Sequence, residues 1–97
     1  MQLFVRDSLI LRRAEKEVTG VGLLSYTLYE ERGLRGEPTQ YGIEIVKRSA
    51  DGVETERIPS ITTDRSFAAR LFRAVVLGEV TPCTLMDIVL DAISDTE

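Results

Sequence analysis

The three-residue connection Ala50-Asp51-Gly52 limits the possible folds of this chain more than any other segment. It separates two runs with strand character. In Tyr41-Gly42-Ile43-Glu44-Ile45-Val46-Lys47, the side chains of Tyr41, Ile43 and Ile45 fall on one side, and Val53 to Ile61 returns as the next strand. Two-residue alternation of this kind marks a half-buried strand. A parallel crossover needs about a dozen residues or more, so strands joined this closely pair antiparallel. Gly52 supplies the positive φ that a tight hairpin turn requires. Pro59 lacks an N–H and weakens the second strand near its end. Upstream, Leu23, Leu24, Tyr26, Leu28 and Tyr29 give another apolar stretch of strand-forming residues. Glu30 to Thr39 places two glycines and a proline among charges, and is expected to be the longest loop. Residues 1–17 fit two patterns: Leu3, Val5, Leu9 and Leu11 alternate as a strand, whereas Leu9 to Glu17 also suits a helix. We assign a strand, which then neighbours the meander formed by residues 21–58.

After residue 62 the period changes to that of helices. Thr63 or Asp64 is expected to cap the first, with Phe67, Ala68, Leu71, Phe72, Ala74 and Val75 as its apolar stripe and Gly78 as its left-handed stop. The second begins at Val80-Thr81-Pro82, with Thr81 as N-cap, Pro82 at the first position and a Val80–Leu85 staple. Leu85, Ile88, Val89, Ala92 and Ile93 form its buried stripe. A sheet with one apolar face needs a cover, and two amphipathic helices provide one. The expected fold is therefore α+β: an antiparallel β-meander of three to four strands followed by two C-terminal helices packed on one face of the sheet. Residues 1–97 are expected to form a single domain.

The strand Tyr41-Gly42-Ile43-Glu44-Ile45, the hairpin after it, the helix with Phe67 and Leu71, and Val80-Thr81-Pro82 followed by Leu85, Asp87, Ile88, Val89 and Ala92 carry a resemblance. Over about residues 22–94 they resemble a family of small proteins of unknown function from clostridial Firmicutes. The resemblance implies a bacterial cytosolic protein and brings no activity with it.

Composition narrows the chemistry. The chain has no histidine, which removes the commonest general acid–base group and the commonest transition-metal ligand. Ser-His and Cys-His nucleophiles are excluded with it. The single cysteine, Cys83, rules out an internal disulfide and suits a reducing cytoplasm. With no histidine, no second cysteine and acidic surroundings, a structural role is expected for it. No apolar run reaches the ~20 residues of a membrane helix. The N-terminus lacks the charged and apolar regions of a signal peptide. Gly33 and Gly36 have no downstream Lys-Ser/Thr, so no phosphate loop is expected.

The net charge of −4 is unevenly spread, +1 over residues 1–78 and −5 over residues 79–97. Asp87, Asp91 and Asp95 recur every four residues and share one helix face. We take this row as a solvated face whose counter-charge is Arg65, Arg70 and Arg73 on the preceding helix, water or a second subunit. A metal-dependent hydrolase using Asp87 and Asp91 with Glu44 or Glu54 is an alternative, although one helical row diverges too much to gather the oxygens a hard cation needs. A nucleic-acid adaptor using Arg12, Arg13 and Lys16 with Arg6, and Tyr26, Tyr29 or Tyr41 as stacking platforms, is another. Glu15, Glu17, Glu30, Glu31 and Glu44 in the same region and a pI of about 4.9 oppose it. The leading expectation is a non-catalytic cytoplasmic protein-interaction module that self-associates, a homodimer without cofactor, metal or membrane. Its expected interaction surface is Arg65, Arg70, Arg73, Asp87, Asp91 and Asp95.

Overall fold

The computed structural model describes residues 8–95. Four strands come first: β1 (Ser8–Val18), β2 (Gly22–Glu31), β3 (Gln40–Ser49) and β4 (Gly52–Thr62). They pair antiparallel in chain order, β1-β2-β3-β4, which makes a meander. Helix α1 (Arg65–Leu77), a 3-10 turn (Pro82–Thr84) and helix α2 (Leu85–Asp95) follow. The expected α+β arrangement is the observed one. The ambiguity near the N-terminus is resolved by pairing: β1 runs against β2 from Ser8 opposite Glu31 to Val18 opposite Gly22, so these residues are strand. Leu3, Val5, Arg6 and Glu97 lie outside the described residues.

Register decides which residues share a face. Tyr26 lies opposite Ile45, Leu28 opposite Ile43, and Ile58 opposite Ile43 on the other side. These side chains, with Leu24 and Tyr41, form the sheet's share of the core. Above them sit Ala68, Leu71, Phe72 and Val75 of α1 and Leu85 and Val89 of α2. Each fully buried Leu, Ile or Val contributes about 1.5–3 kcal/mol relative to exposure. Ala74, expected in the apolar stripe, is instead exposed. It lies about 100° around the helix from Val75, and that turn carries it to the solvent side.

The helix ends differ from expectation in two places. Asp64 caps α1, its carboxylate accepting from the N–H groups of Ser66 and Phe67 at 2.9 and 3.1 Å. The left-handed residue after α1 is Glu79 (φ 53°), whereas Gly78 keeps a right-handed backbone (φ −82°). The Val80 N–H donates to the Val75 carbonyl at 3.1 Å and the Glu79 N–H to Val76 at 3.1 Å. This is the Schellman pattern, with the strained position shifted one residue past the glycine. Thr81 has the extended backbone of an N-cap, but its hydroxyl makes no capping bond. The Thr84 hydroxyl bonds back to the Thr81 carbonyl at 3.2 Å, and the chain passes through the 3-10 turn before α2 begins at Leu85.

Glu79→Gly is expected to raise stability by about 0.5–1 kcal/mol, because glycine occupies a left-handed position without the Cβ penalty. The Lys16–Glu79 pair that it removes is long, 3.9 Å, and half-exposed. Such pairs contribute about 0–1 kcal/mol. Urea unfolding checks this through the transition midpoint, and a fall in midpoint overturns it.

Candidate functional site

The helices do not cover the sheet evenly. α2 packs against α1 and β4, and the 3-10 turn against β3 and β4. β1 and β4 are opposite edges of the sheet, so the helix-side surface near β1 is left open beside α1. A groove of about 600 Å³ runs there. Its floor is apolar: Ala14 from β1, with Ala69, Phe72, Val76 and Leu77 from α1. Leu77 stands 65% exposed at its end. Its basic side chains are Arg12 from β1 and Arg70 and Arg73 from α1, whereas Arg13, opposite Thr27, borders the groove but points to the other sheet face; no carboxylate lines it.

The local sequence explains this arrangement. Ala14 lies opposite Tyr26 and so faces the helices, and its small side chain leaves depth where a larger residue would fill the gap. On α1, Ala69, Phe72, Val76 and Arg73 fall within about two turns along the flank beside the buried stripe. Arg12 on a strand and Arg70 and Arg73 on a helix, distant in the chain, thus meet across one cleft. None of the three makes an ion pair among the described residues; Arg70 has its guanidinium carbon 6.0 Å from the centre of the Phe67 ring. A guanidinium stays charged at any ordinary pH and offers a planar fork that fits a carboxylate. The cleft is therefore a concentrated positive site on a chain of net charge −4.

The remaining candidates are placed as follows. Lys16 reaches Glu79 at 3.9 Å. Arg65 is exposed at the start of α1. Asp87, Asp91 and Asp95 are exposed on α2, and no ion pair among the described residues joins them to Arg65, Arg70 or Arg73. Glu44 lies on the sheet face opposite the helices, on the same side as Arg57, away from Asp87 and Asp91. Glu54 pairs with Lys47 at 3.1 Å. Among the described residues no three side chains of the metal-binding types converge. Cys83 is exposed, its Sγ 3.5 Å from the Thr81 hydroxyl.

A second polar constellation sits on the uncovered sheet face. The Arg57 guanidinium lies over the Tyr29 ring, 3.9 Å from its centre. Glu31 and Glu44 approach the same guanidinium at 3.8 and 3.9 Å. Here one guanidinium faces two carboxylates, so the cluster is net negative and has no spare positive charge to offer an acidic ligand. Tyr29 is only 2% exposed because Gly42, opposite it in β3, leaves room for the ring. Its hydroxyl is buried without a hydrogen-bond partner among the described residues.

Burial pushes the Tyr29 phenol above its ordinary value of about 10, opposed by Arg57 and aided by Glu31 and Glu44. Burial raises Tyr26 too, with a smaller push from Glu79. The unfolded chain therefore gives up these protons at lower pH than the folded one. The stability tied to them is full below about pH 10 and falls as pH rises through the folded values. Urea midpoints measured across the alkaline range are expected to decline from about pH 10 upward, less steeply in Tyr29→Phe. A flat profile in that range overturns this.

No helix among the described residues is long and apolar enough to cross a membrane. No curated protein and no solved structure matches the chain. A model of a family of unknown function matches residues 6–95, a span that takes in β1 as well as the meander and helices after it. The chain therefore belongs to DUF6514, a family of unknown function.

Proposed function

We propose that this domain is a protein-interaction module without catalysis of its own, which receives an acidic amphipathic helix in the groove between β1 and α1. The supporting observation is the combination of three arginines, Arg12, Arg70 and Arg73, lacking carboxylate partners among the described residues with an apolar floor. Carboxylates on one face of a helix would meet the guanidiniums, and its apolar residues would cover Phe72, Val76 and Leu77. This is the helix-in-groove mode of recognition, in which apolar anchors contribute affinity and flanking charges set orientation. A bacterial cytosolic setting belongs to the same reading and is supported by the single free cysteine.

Arginines also suit phosphates, but the aromatic groups argue for protein. Single-strand recognition rests on exposed rings that stack on bases. All three tyrosines are buried, Tyr26 and Tyr41 under the helices and Tyr29 beneath Arg57. Phe72 is buried as well.

The test is a titration of the full chain, followed by amide NMR shifts, with a designed helical peptide carrying Leu and Glu on one face. Shifts confined to Ala14, Ala69, Phe72, Val76 and their neighbours, weakening with salt, are the expected result. No shift, or shifts elsewhere, overturns the proposal. Tighter groove binding by a single-stranded oligonucleotide also overturns it, in favour of nucleic acid.

A further inference from the structure

We infer that the occupant of the groove is helix α2 of a second copy of this chain. The inference rests on the groove reading above and names its partner. Of the two helices among the described residues, α2 has an outward face with the required chemistry. Met86 and Leu90, one turn apart, stand 44% and 54% exposed. Asp87 and Asp91 each follow one of these residues, and Asp95 extends the row. None of the three aspartates makes an ion pair among the described residues. Residues 79–97 contain no Lys or Arg to neutralise them. Apolar residues flanked by carboxylates without ion pairs among the described residues thus complement an apolar floor flanked by guanidiniums that also lack them.

Topology makes the contact intermolecular. α2 lies toward the β4 edge, whereas the groove lies at the β1 edge with α1 between them. A chain cannot place its own α2 in its own groove without dismantling the packing of Leu85 and Val89 in the core. Two copies can satisfy both surfaces. Because groove and helix are different surfaces, the contact either closes reciprocally into a two-fold dimer or propagates from chain to chain. It is also charge-dominated at its rim, so its strength falls with ionic strength.

Sedimentation equilibrium of the full chain over the micromolar range, at low and high salt, tests this together with exposed-site charge reversals. Arg70→Glu with Arg73→Glu reverses the groove. Asp91→Arg with Asp95→Arg reverses the helix and suits the negative end of its dipole. The wild type is expected to self-associate at low salt and dissociate at high salt. Each reversed variant alone is expected to associate about a hundredfold more weakly. An equimolar mixture of the two is expected to regain wild-type association, because each reversed groove then meets a matching helix. A wild-type chain that stays monomeric at low salt, association that persists in both reversed variants, or a mixture that fails to associate overturns the inference. If a monomeric wild type still binds the acidic peptide in the groove, the groove reading stands with a different partner. If it binds neither, both readings fall.

Discussion

Replacing Gly42 with alanine is expected to destabilise the fold by about 3 kcal/mol, the upper end of ordinary overpacking costs. A Cβ at this position would sit 2.6 Å from the Tyr29 hydroxyl, 2.7 Å from the adjoining ring carbon and 2.7 Å from the Ile58 carbonyl oxygen. Neither side yields easily. The ring is held under Arg57, and the carbonyl belongs to β4 where its pairing with β3 is already irregular. Three β4 residues, Pro59, Ser60 and Ile61, stand between the partners of Ile43 and Tyr41, and Ser60 adopts a positive φ of 55°. A bulge bends its strand and sharpens the local twist. Here it also accommodates Pro59, which has no N–H to donate.

Urea unfolding measures the loss directly. Tyr29→Phe separates the two contacts: it removes the hydroxyl but leaves the ring carbon and the carbonyl. By itself it is expected to be neutral or slightly stabilising, since a buried hydroxyl without a partner carries its desolvation cost uncompensated. Combined with Gly42→Ala it is expected to recover part of the loss, giving a coupling of about 0.5 kcal/mol or more. A Gly42→Ala variant as stable as the wild type would show that the sheet opens freely at this point.

Truncating Tyr26 to alanine is expected to cost more, about 3–5 kcal/mol, as for other large buried aromatics. That is a large share of the roughly 5–15 kcal/mol that holds a domain together. Tyr26 is 0% exposed, and its hydroxyl donates to the Val80 carbonyl at 3.0 Å. Val80 lies in the link between the end of α1 at Leu77 and the 3-10 turn at Pro82, and its own N–H is held by the Val75 carbonyl. One tyrosine thus ties the second strand to the link between the helices. Tyr26→Phe keeps the ring and leaves the Val80 carbonyl without that donor, so about 1 kcal/mol is expected to be lost. Urea unfolding of the pair of variants separates packing from hydrogen bonding. A loss below 1 kcal/mol for Tyr26→Ala would mean that the core closes over the gap.

Much of this fold was legible locally. Ala50-Asp51-Gly52 forced a hairpin, and Asp64 and Pro82 stood where helix starts require them. The stripe of Leu85 and Val89 was readable from its spacing. The misreadings were small and also local. Gly78 drew the left-handed position to itself, although the hydrogen bonds to Val75 and Val76 place it at Glu79. Ala74 suits an apolar stripe by composition but falls on the outer side of α1.

The groove was legible only in fragments. Arg12 and Arg13 stood out as one basic patch and Arg70 and Arg73 as part of another, and nothing in their spacing joined them. The four apolar floor residues on α1 read as ordinary core or surface. The count of cover gave no signal for the groove, because two helices about 10 Å apart can span four strands about 4.8 Å apart. Which flank stayed open, and which charges would line it, depended on where α1 settled.

The sequence by itself determined the elements after residue 20, their order and their antiparallel pairing, because turns, caps and hydrophobic period act over a few neighbouring residues, whereas β1 took its strand state from pairing with β2. It also determined that Asp87, Asp91 and Asp95 form one row, since helix geometry alone aligns them. Only the tertiary structure decided what those charges and the arginines face. Packing α1 beside Ala14 brought residues from positions 12 and 73 into one cleft, and packing α2 toward β4 sent the aspartates to the far side. Charge placement across a molecule follows from the docking of whole elements, and that is set by the shape of the buried core.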